Sequence, residues 1–349
     1  MLCAQPMRLA ACKPPPPEIE PNQILMSQNL FPITPDRPWL APLAGFSDLP
    51  FRLLCHEQGC SAGVTEMVSA KGLIYQSPGT KELLQTCEKD SPLVVQLFGS
   101  EETFLVQAIA RLREMGFRYF DLNCGCPVRK VAKTGSGAAL LKEPEHLLRL
   151  AKAMISATDP GCMGFKIRLG WSIGQPVYLP LARELEALGA GWLTMHPRFG
   201  VQGFTGHADW SHLKILKENT GLPVIASGDL FQAEDGLHCV EQTGVDSIMF
   251  ARGALNDPQI FARYRRLRRK EAPEEKSCSG MIALIHRLSQ LYAEQGMERL
   301  GLLKMRTLVP RFLKSLPGAR ALRRDIVFCK SWDHVFTILE ACQTESGEK

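Results

Sequence analysis

The chain has 349 residues, 45% of them hydrophobic and 22% charged, which are ordinary proportions for a globular protein with one large domain and a smaller one. It contains no run of about 18 apolar residues, so a helical membrane span is not expected. The formal net charge of +5 is unevenly placed: Gln259 to Lys349 holds 18 Lys+Arg and 10 Asp+Glu, a net of +8, while the first 258 residues carry −3. That asymmetry suits a polyanionic partner for the C-terminal part, and a solvated helical surface would account for it as well.

The twelve cysteines are scattered, without a CxxC pair or zinc-finger spacing. They read as reduced thiols of a cytoplasmic protein with no metal site. Near the N-terminus "LAAC" (9–12) lacks the apolar stretch of a lipoprotein signal and is followed by "KPPPP". Residues 1–35 read as a Pro-rich, disordered extension, with Met26 as an alternative start. From Trp39 onward short apolar runs alternate with longer segments of helical period. The expected strands are "WLAP" (39–42), "AGVTE" (62–66), "LVVQLF" (93–98), "RYFDLN" (118–123), "MGFKIRL" (163–169), "WLTMH" (192–196), "PVIASG" (223–228) and "SIMFA" (247–251). Between them "ETFLVQAIARLREMG", "PEHLLRLAKAMISAT", "PVYLPLARELEALG" and "FQAEDGLHCVEQTG" read as helices, several of them closed by glycine. This alternation predicts an α/β fold, a (β/α)8 TIM barrel over 36–260. A doubly wound sheet is weaker, because no GxGxxG follows a strand. Strand signals then stop, and three amphipathic stretches predict a small helical domain over 275–345.

In such a barrel the site is built at the C-terminal ends of the strands. That rule selects the segment Ala41 to Ala44, then Glu66, Gln96, Asn123, Lys166, Arg168, His196, the segment Ser227 to Asp229, and Ala251 to Gly253. The small residues after strands seven and eight suit a phosphate. Lys166 could instead be an interior cation paired with Glu66, and His196 a satisfied core histidine. Beside these groups lies "DLNCGCPVRK" (121–130), two cysteines in a turn directly after a strand. No third or fourth metal ligand lies near them.

"APLAGFSDLPFR", "VVQLFGS", "DLNCGCPVRKVAKTGSGAALL", "FKIRLGW", "VIASGD" and "ARGAL", in that order, resemble the bacterial, FMN-dependent tRNA-dihydrouridine synthase family. The resemblance runs from about Trp39 to Ile260 and more loosely through the tail. It implies an oxidoreductase that reduces a uridine in the D loop of tRNA, with a hydride from FMN reduced by NADPH. It also implies that Pro42, Leu43, Ala44, Gln96, Lys166 and His196 contact the FMN. Ser227, Gly228, Asp229, Ala251 and Arg252 would hold its phosphate, and Asn123 and Arg168 would orient flavin and uracil. Cys126 is then the proton donor; a free thiol, with a pKa of about 8.5, is protonated at neutral pH. Cys124 reads as a small packed hydrophobe. Arg129, Lys130 and Lys133 beside that loop, and Lys304, Arg306, Arg311, Lys314, Arg320, Arg323 and Arg324 in the tail, would meet tRNA phosphates. A flipped-out uridine would need that binding energy. The implied protein is a cytoplasmic monomer. Pro197 stands where the family usually has Gly, Ser227 where Asn is common, and Ala251 where Gly is common. Two other readings stay open: an FMN barrel reductase of a free pyrimidine or enone, and a tRNA-binding protein without catalysis.

Overall fold

Eight parallel strands close on themselves in the computed structural model, which describes residues 32–314 and 319–345, with only the backbone at 319–321 and 341–345. The strands are β1 (Trp39–Leu40), β2 (Ala62–Val64), β3 (Leu93–Phe98), β4 (Tyr119–Cys124), β5 (Met163–Gly170), β6 (Trp192–Phe199), β7 (Val224–Ser227) and β8 (Ser247–Phe250). Each pairs in parallel with the next in sequence, and β8 pairs with β1, so the barrel has no open edge. A two-residue strand, Val68–Ser69, extends the pairing at the end of β3. The expected strands all form, within three residues at either end. Most of the expected N-terminal extension, with Met26, lies outside the described residues, as does the Arg320 side chain.

Helices cover the outside: α1 (Leu49–Glu57), α2 (Glu102–Glu114), α3 (Pro144–Ser156), α4 (Tyr178–Leu188), α5 (Ser211–Glu218), α6 (Ala233–Thr243) and α7 (Ile260–Arg268). Their faces follow from spacing. In α3, Leu147, Leu150, Ala151 and Met154 form one buried stripe at helical period, and Pro144 begins the helix where no backbone N–H is needed. Asp48 caps α1 by accepting from the Phe51 amide at 3.2 Å, satisfying a donor the helix cannot.

The bottom of the barrel is filled by side chains. Trp39 and Trp192 stand 5.6 Å apart between ring centroids, with Val94, Ile225 and Met249 around them. Glycine is required at 164, where a Cβ would lie 2.0 Å from the Trp192 ring. This plug is why the chemistry can sit only at the other end.

The described residues belong to one compact unit. Within it are the tail helices α8 (Cys278–Glu294), α9 (Glu298–Phe312), α10 (Ala319–Ile326) and α11 (Trp332–Glu345); α8 packs against α1, and α10 and α11 pack on α8 and α9. Tyr292 on α8 donates to Asp48 Oδ2 at 2.9 Å, and Arg287 reaches Glu57 at 2.7 Å.

Candidate active site

Side chains alternate along a strand, so residues two apart share a face. That period turns the strand ends into polar pairs facing the barrel mouth: Asp121 with Asn123, Lys166 with Arg168, and His196 with Arg198. The register sets Gln96 beside Asp121, Asn123 beside Lys166 and Arg168 beside His196. Above them opens a cavity of about 380 Å³, within the range of small-molecule sites. Its wall includes Pro42, Leu43, Ala44, Asn123, Cys126, Lys166, Arg168, His196, Ser227, Gly228, Asp229, Ala251 and Arg252. All the expected cofactor, substrate and catalytic residues but one are therefore gathered at one place.

The exception is Gln96, which is fully buried beneath the wall. Its amide donates to Asp121 Oδ2 at 2.7 Å and accepts from Asn123 Nδ2 at 2.8 Å. The direction of this chain of amides is set by backbone groups that cannot be turned round. Asn123 Oδ1 accepts from the Gly125 amide at 3.1 Å and the Cys126 amide at 2.9 Å. Asn123 must then donate to Gln96, and Gln96 to Asp121. In this arrangement Gln96 holds Asn123, and Asn123 holds the cysteine turn.

Arg168 braces the same turn from the other side. Its Nε donates to Gly125 O at 2.7 Å, and its Nη1 to Phe199 O and Gly203 O at 3.1 and 2.7 Å. The Ala138 amide donates to Cys126 O at 3.0 Å. Cys126 itself stays half-buried at the cavity wall, close enough to Lys166 and Arg168 to act on both electrostatically. Cys124 is fully buried among core side chains, and that burial pushes its thiol far up. The two cysteines are thus sorted by position: one packed, one presented.

The electrostatics of the mouth are dominated by cations. Burial first, then Lys166, Arg168, Arg198 and Arg252, hold His196 neutral. Arg198 Nη1 lies 2.8 Å from His196 Nε2; a guanidinium can only donate, so Nε2 accepts and Nδ1 carries the proton. Lys166 is pulled down, mainly by burial and then by Arg168, while burial pushes the Asp121 carboxyl up. Asp229 is held in the left-handed region at φ +55°. Its carboxylate accepts from Arg198 at 2.7 and 2.9 Å and from the Ala208 amide at 2.8 Å, and lies 3.3 Å from Arg252. It therefore organises two arginines and is not itself open to a phosphate. Glu66, considered above as a partner for Lys166, instead meets the Gly45 amide and Lys304.

Sequence reasoning passed over Asp121, Arg198, Phe204 and Phe231. The first two were findable, since each lies two residues from a chosen strand-end residue. The aromatics lie on loops, where no period points: the Arg252 guanidinium sits 5.4 Å from the Phe204 ring and 4.7 Å from that of Phe231.

The cations expected to meet tRNA divide into two groups. Arg129, Lys130 and Lys133 are exposed next to the cysteine turn, Lys314 and Arg324 are exposed, and Arg323 is half-buried. The other three are engaged within the protein. Arg306 donates to Cys329 O at 3.2 Å, Lys304 to Gly45 O at 2.5 Å, and Arg311 lies 4.8 Å over the Phe46 ring.

Among the described residues no helix is long and apolar enough to cross a membrane, and no group of three or more His, Cys, Asp or Glu could hold a metal ion. In comparison with known proteins, residues 39–345 match the family described as "Dihydrouridine synthase (Dus)". The chain is 32% identical to a probable tRNA-dihydrouridine synthase 1 of Synechocystis sp., over 82% of this chain and 80% of that one. It is 32% identical to tRNA-dihydrouridine synthase B of Pseudomonas aeruginosa, over 83% and 87%. A family match that takes in both barrel and tail, with relatives aligned over most of both lengths, means that the chain belongs to the dihydrouridine synthase family.

Proposed function

We propose that this protein reduces the 5,6 double bond of a uridine in the D loop of tRNA to dihydrouridine, with FMN as hydride carrier, NADPH as its reductant and Cys126 as proton donor. Membership of the family supports the reaction. The single observation that carries the site is a cysteine turn braced by Asn123 and Arg168 over a cavity with apolar walls and a cationic rim.

The donor set fits FMN. Ala41, Pro42, Leu43, Met67 and Met249 give the cavity an apolar lining suited to a flat ring system. Arg252 supplies positive charge for its anionic tail, and neutral His196 offers an Nδ1–H donor. The backbone at Ser227 to Asp229 and at Ala251 to Arg252 would meet the phosphate, with Arg252 alongside. Lys166 would stabilise negative charge on the reduced ring. Reduced FMN, when bound, supplies the hydride that adds at carbon 6 of the uracil.

The protein's part is the proton at carbon 5. A general acid has to be held in reach of that carbon and kept from wandering. The turn does this through four backbone contacts, the amides of Gly125 and Cys126 on Asn123, the carbonyl of Gly125 on Arg168 and the carbonyl of Cys126 on the Ala138 amide. After donation the thiolate would remain beside Lys166 and Arg168, two cations able to stabilise it. Exposed Arg129 and Lys130 flank the turn, where a tRNA backbone would pass if its base entered the cavity. Phosphate contacts there and at Lys314 and Arg323 would offset the few kcal/mol needed to flip the base.

The test is dihydrouridine formation in unmodified tRNA with FMN and NADPH, comparing wild type with Cys126→Ala. Product from wild type, and loss of at least about a hundredfold in the variant with flavin still bound, is the expected result. A yellow, NADPH-oxidising wild type that forms no dihydrouridine would overturn the tRNA reading.

A further inference from the structure

The loop from Ala41 to Ser47 gives the cavity four of its lining residues, Ala41 to Ala44, and closes on itself through Leu43, whose carbonyl accepts from the Phe46 and Ser47 amides at 2.8 and 3.0 Å and whose amide donates to Ser47 Oγ at 2.9 Å. At its apex Gly45 adopts φ +81°, with nothing within 4 Å of where a Cβ would sit. The turn is therefore not held by packing at that point. It is held by polar contacts: the Gly45 amide donates to Glu66 Oε2 at 2.5 Å, and Gly45 O accepts from Lys304 Nζ at 2.5 Å. Lys304 also lies 3.5 Å from Asp48 Oδ2 and 3.8 Å from Glu66 Oε1. Its side chain is only 16% exposed. One residue on, the Arg311 guanidinium covers the Phe46 ring.

These contacts do not resemble a phosphate-binding surface. An ammonium already surrounded by two carboxylates and a carbonyl has no attraction left for a polyanion, and moving it out would strand Glu66, whose carboxyl burial already pushes up. We propose that Lys304, assisted by Arg311, is a positioning residue: from the tail helix α9 it sets the cofactor-facing loop of the barrel, so that the tail governs flavin binding as well as tRNA binding. The inference rests on the reading that the barrel mouth holds FMN. By linkage, anything that orders α9 against the barrel tightens the hold on the flavin, and bound flavin favours that docking in return.

The experiment titrates flavin-stripped full-length protein with FMN by fluorescence quenching, and separately measures tRNA affinity from low to high salt. Wild type is compared with Lys304→Met, Lys304→Arg and Arg287→Ala. Arg287 joins the tail to the barrel through Glu57 without touching the loop, so its loss reports general loosening of the tail. Lys304→Met should weaken FMN about tenfold or more, as loss of a charged hydrogen bond implies, with the salt slope of tRNA binding unchanged. Lys304→Arg should recover most of the affinity, and Arg287→Ala should leave it near wild type. The proposal is overturned if Lys304→Met binds FMN like wild type while its tRNA salt slope drops by about 1, the signature of a lost phosphate contact. Equal weakening by Arg287→Ala would also overturn it. A wild-type protein that takes up no FMN would instead remove the flavin reading itself.

Discussion

Replacing Asn123 by Ala tests the idea that the catalytic turn hangs from a buried amide chain. The substitution removes two acceptor contacts to the Gly125 and Cys126 amides and the donor to Gln96 Oε1. The half-buried backbone amides can turn to water, but Gln96 is 0% exposed, and its oxygen is left without a partner. Three hydrogen bonds near 1 kcal/mol each, with part of a desolvation penalty, sum to about 3 to 4 kcal/mol. Urea unfolding at constant m would read this as a lower midpoint, and Cys126 should lose its fixed setting, changing its alkylation rate. Asn123→Asp sharpens the test. It keeps the acceptor for the turn but removes the donor, so Gln96 must turn its amide over and face Asp121 with an oxygen. That arrangement needs Asp121 protonated, a state burial already favours. A folded state that binds an extra proton loses stability as pH rises, so Asn123→Asp should be more destabilising at pH 8 than at pH 6. A cost below about 1 kcal/mol for Asn123→Ala, or the same cost for Asn123→Asp at both pH values, would refute the amide chain.

Gly228→Ala should destabilise the protein by about 2 kcal/mol or more and weaken FMN, because its Cβ would lie 2.5 Å from His196 Cδ2 at φ +105°; a melting temperature equal to wild type would contradict the packing. Folded His196 stays neutral while the unfolded imidazole takes up a proton near pH 6.5, so wild type should lose up to about 1.4 kcal/mol per pH unit below that point. His196→Gln should give a flatter profile between pH 5 and 6.5 in chemical unfolding, and parallel curves would refute the assignment. Iodoacetamide at pH 8 should label Cys126 and spare Cys124, whose thiol burial pushes far up, and Cys60, pushed to about 12. Peptide mapping that finds Cys124 labelled as fast as Cys126 would reverse their roles.

Much of the fold was legible because a strand buried on both faces must be apolar along its length. "LVVQLF" and "SIMF" announce themselves, and the polar residues that interrupt such runs near their ends, Asn123, Lys166 and His196, stand out against them. The two-residue period then leads from these to Asp121, Arg168 and Arg198 without any structure. What the sequence could not supply is who pairs with whom. Gln96 looks like any other strand-end amide, and only closure of the barrel shows it beneath the cavity, spent on Asp121 and Asn123. Lys304 reads as one more cation in a basic tail, yet it ends on Gly45, 259 positions away, while Glu66 turns to it and not to Lys166. A helix or strand is written in the nearest few residues, through sterics and the side-chain period. The partner of a charge depends on which distant surface folding brings within about 4 Å, and on how much water is left between them.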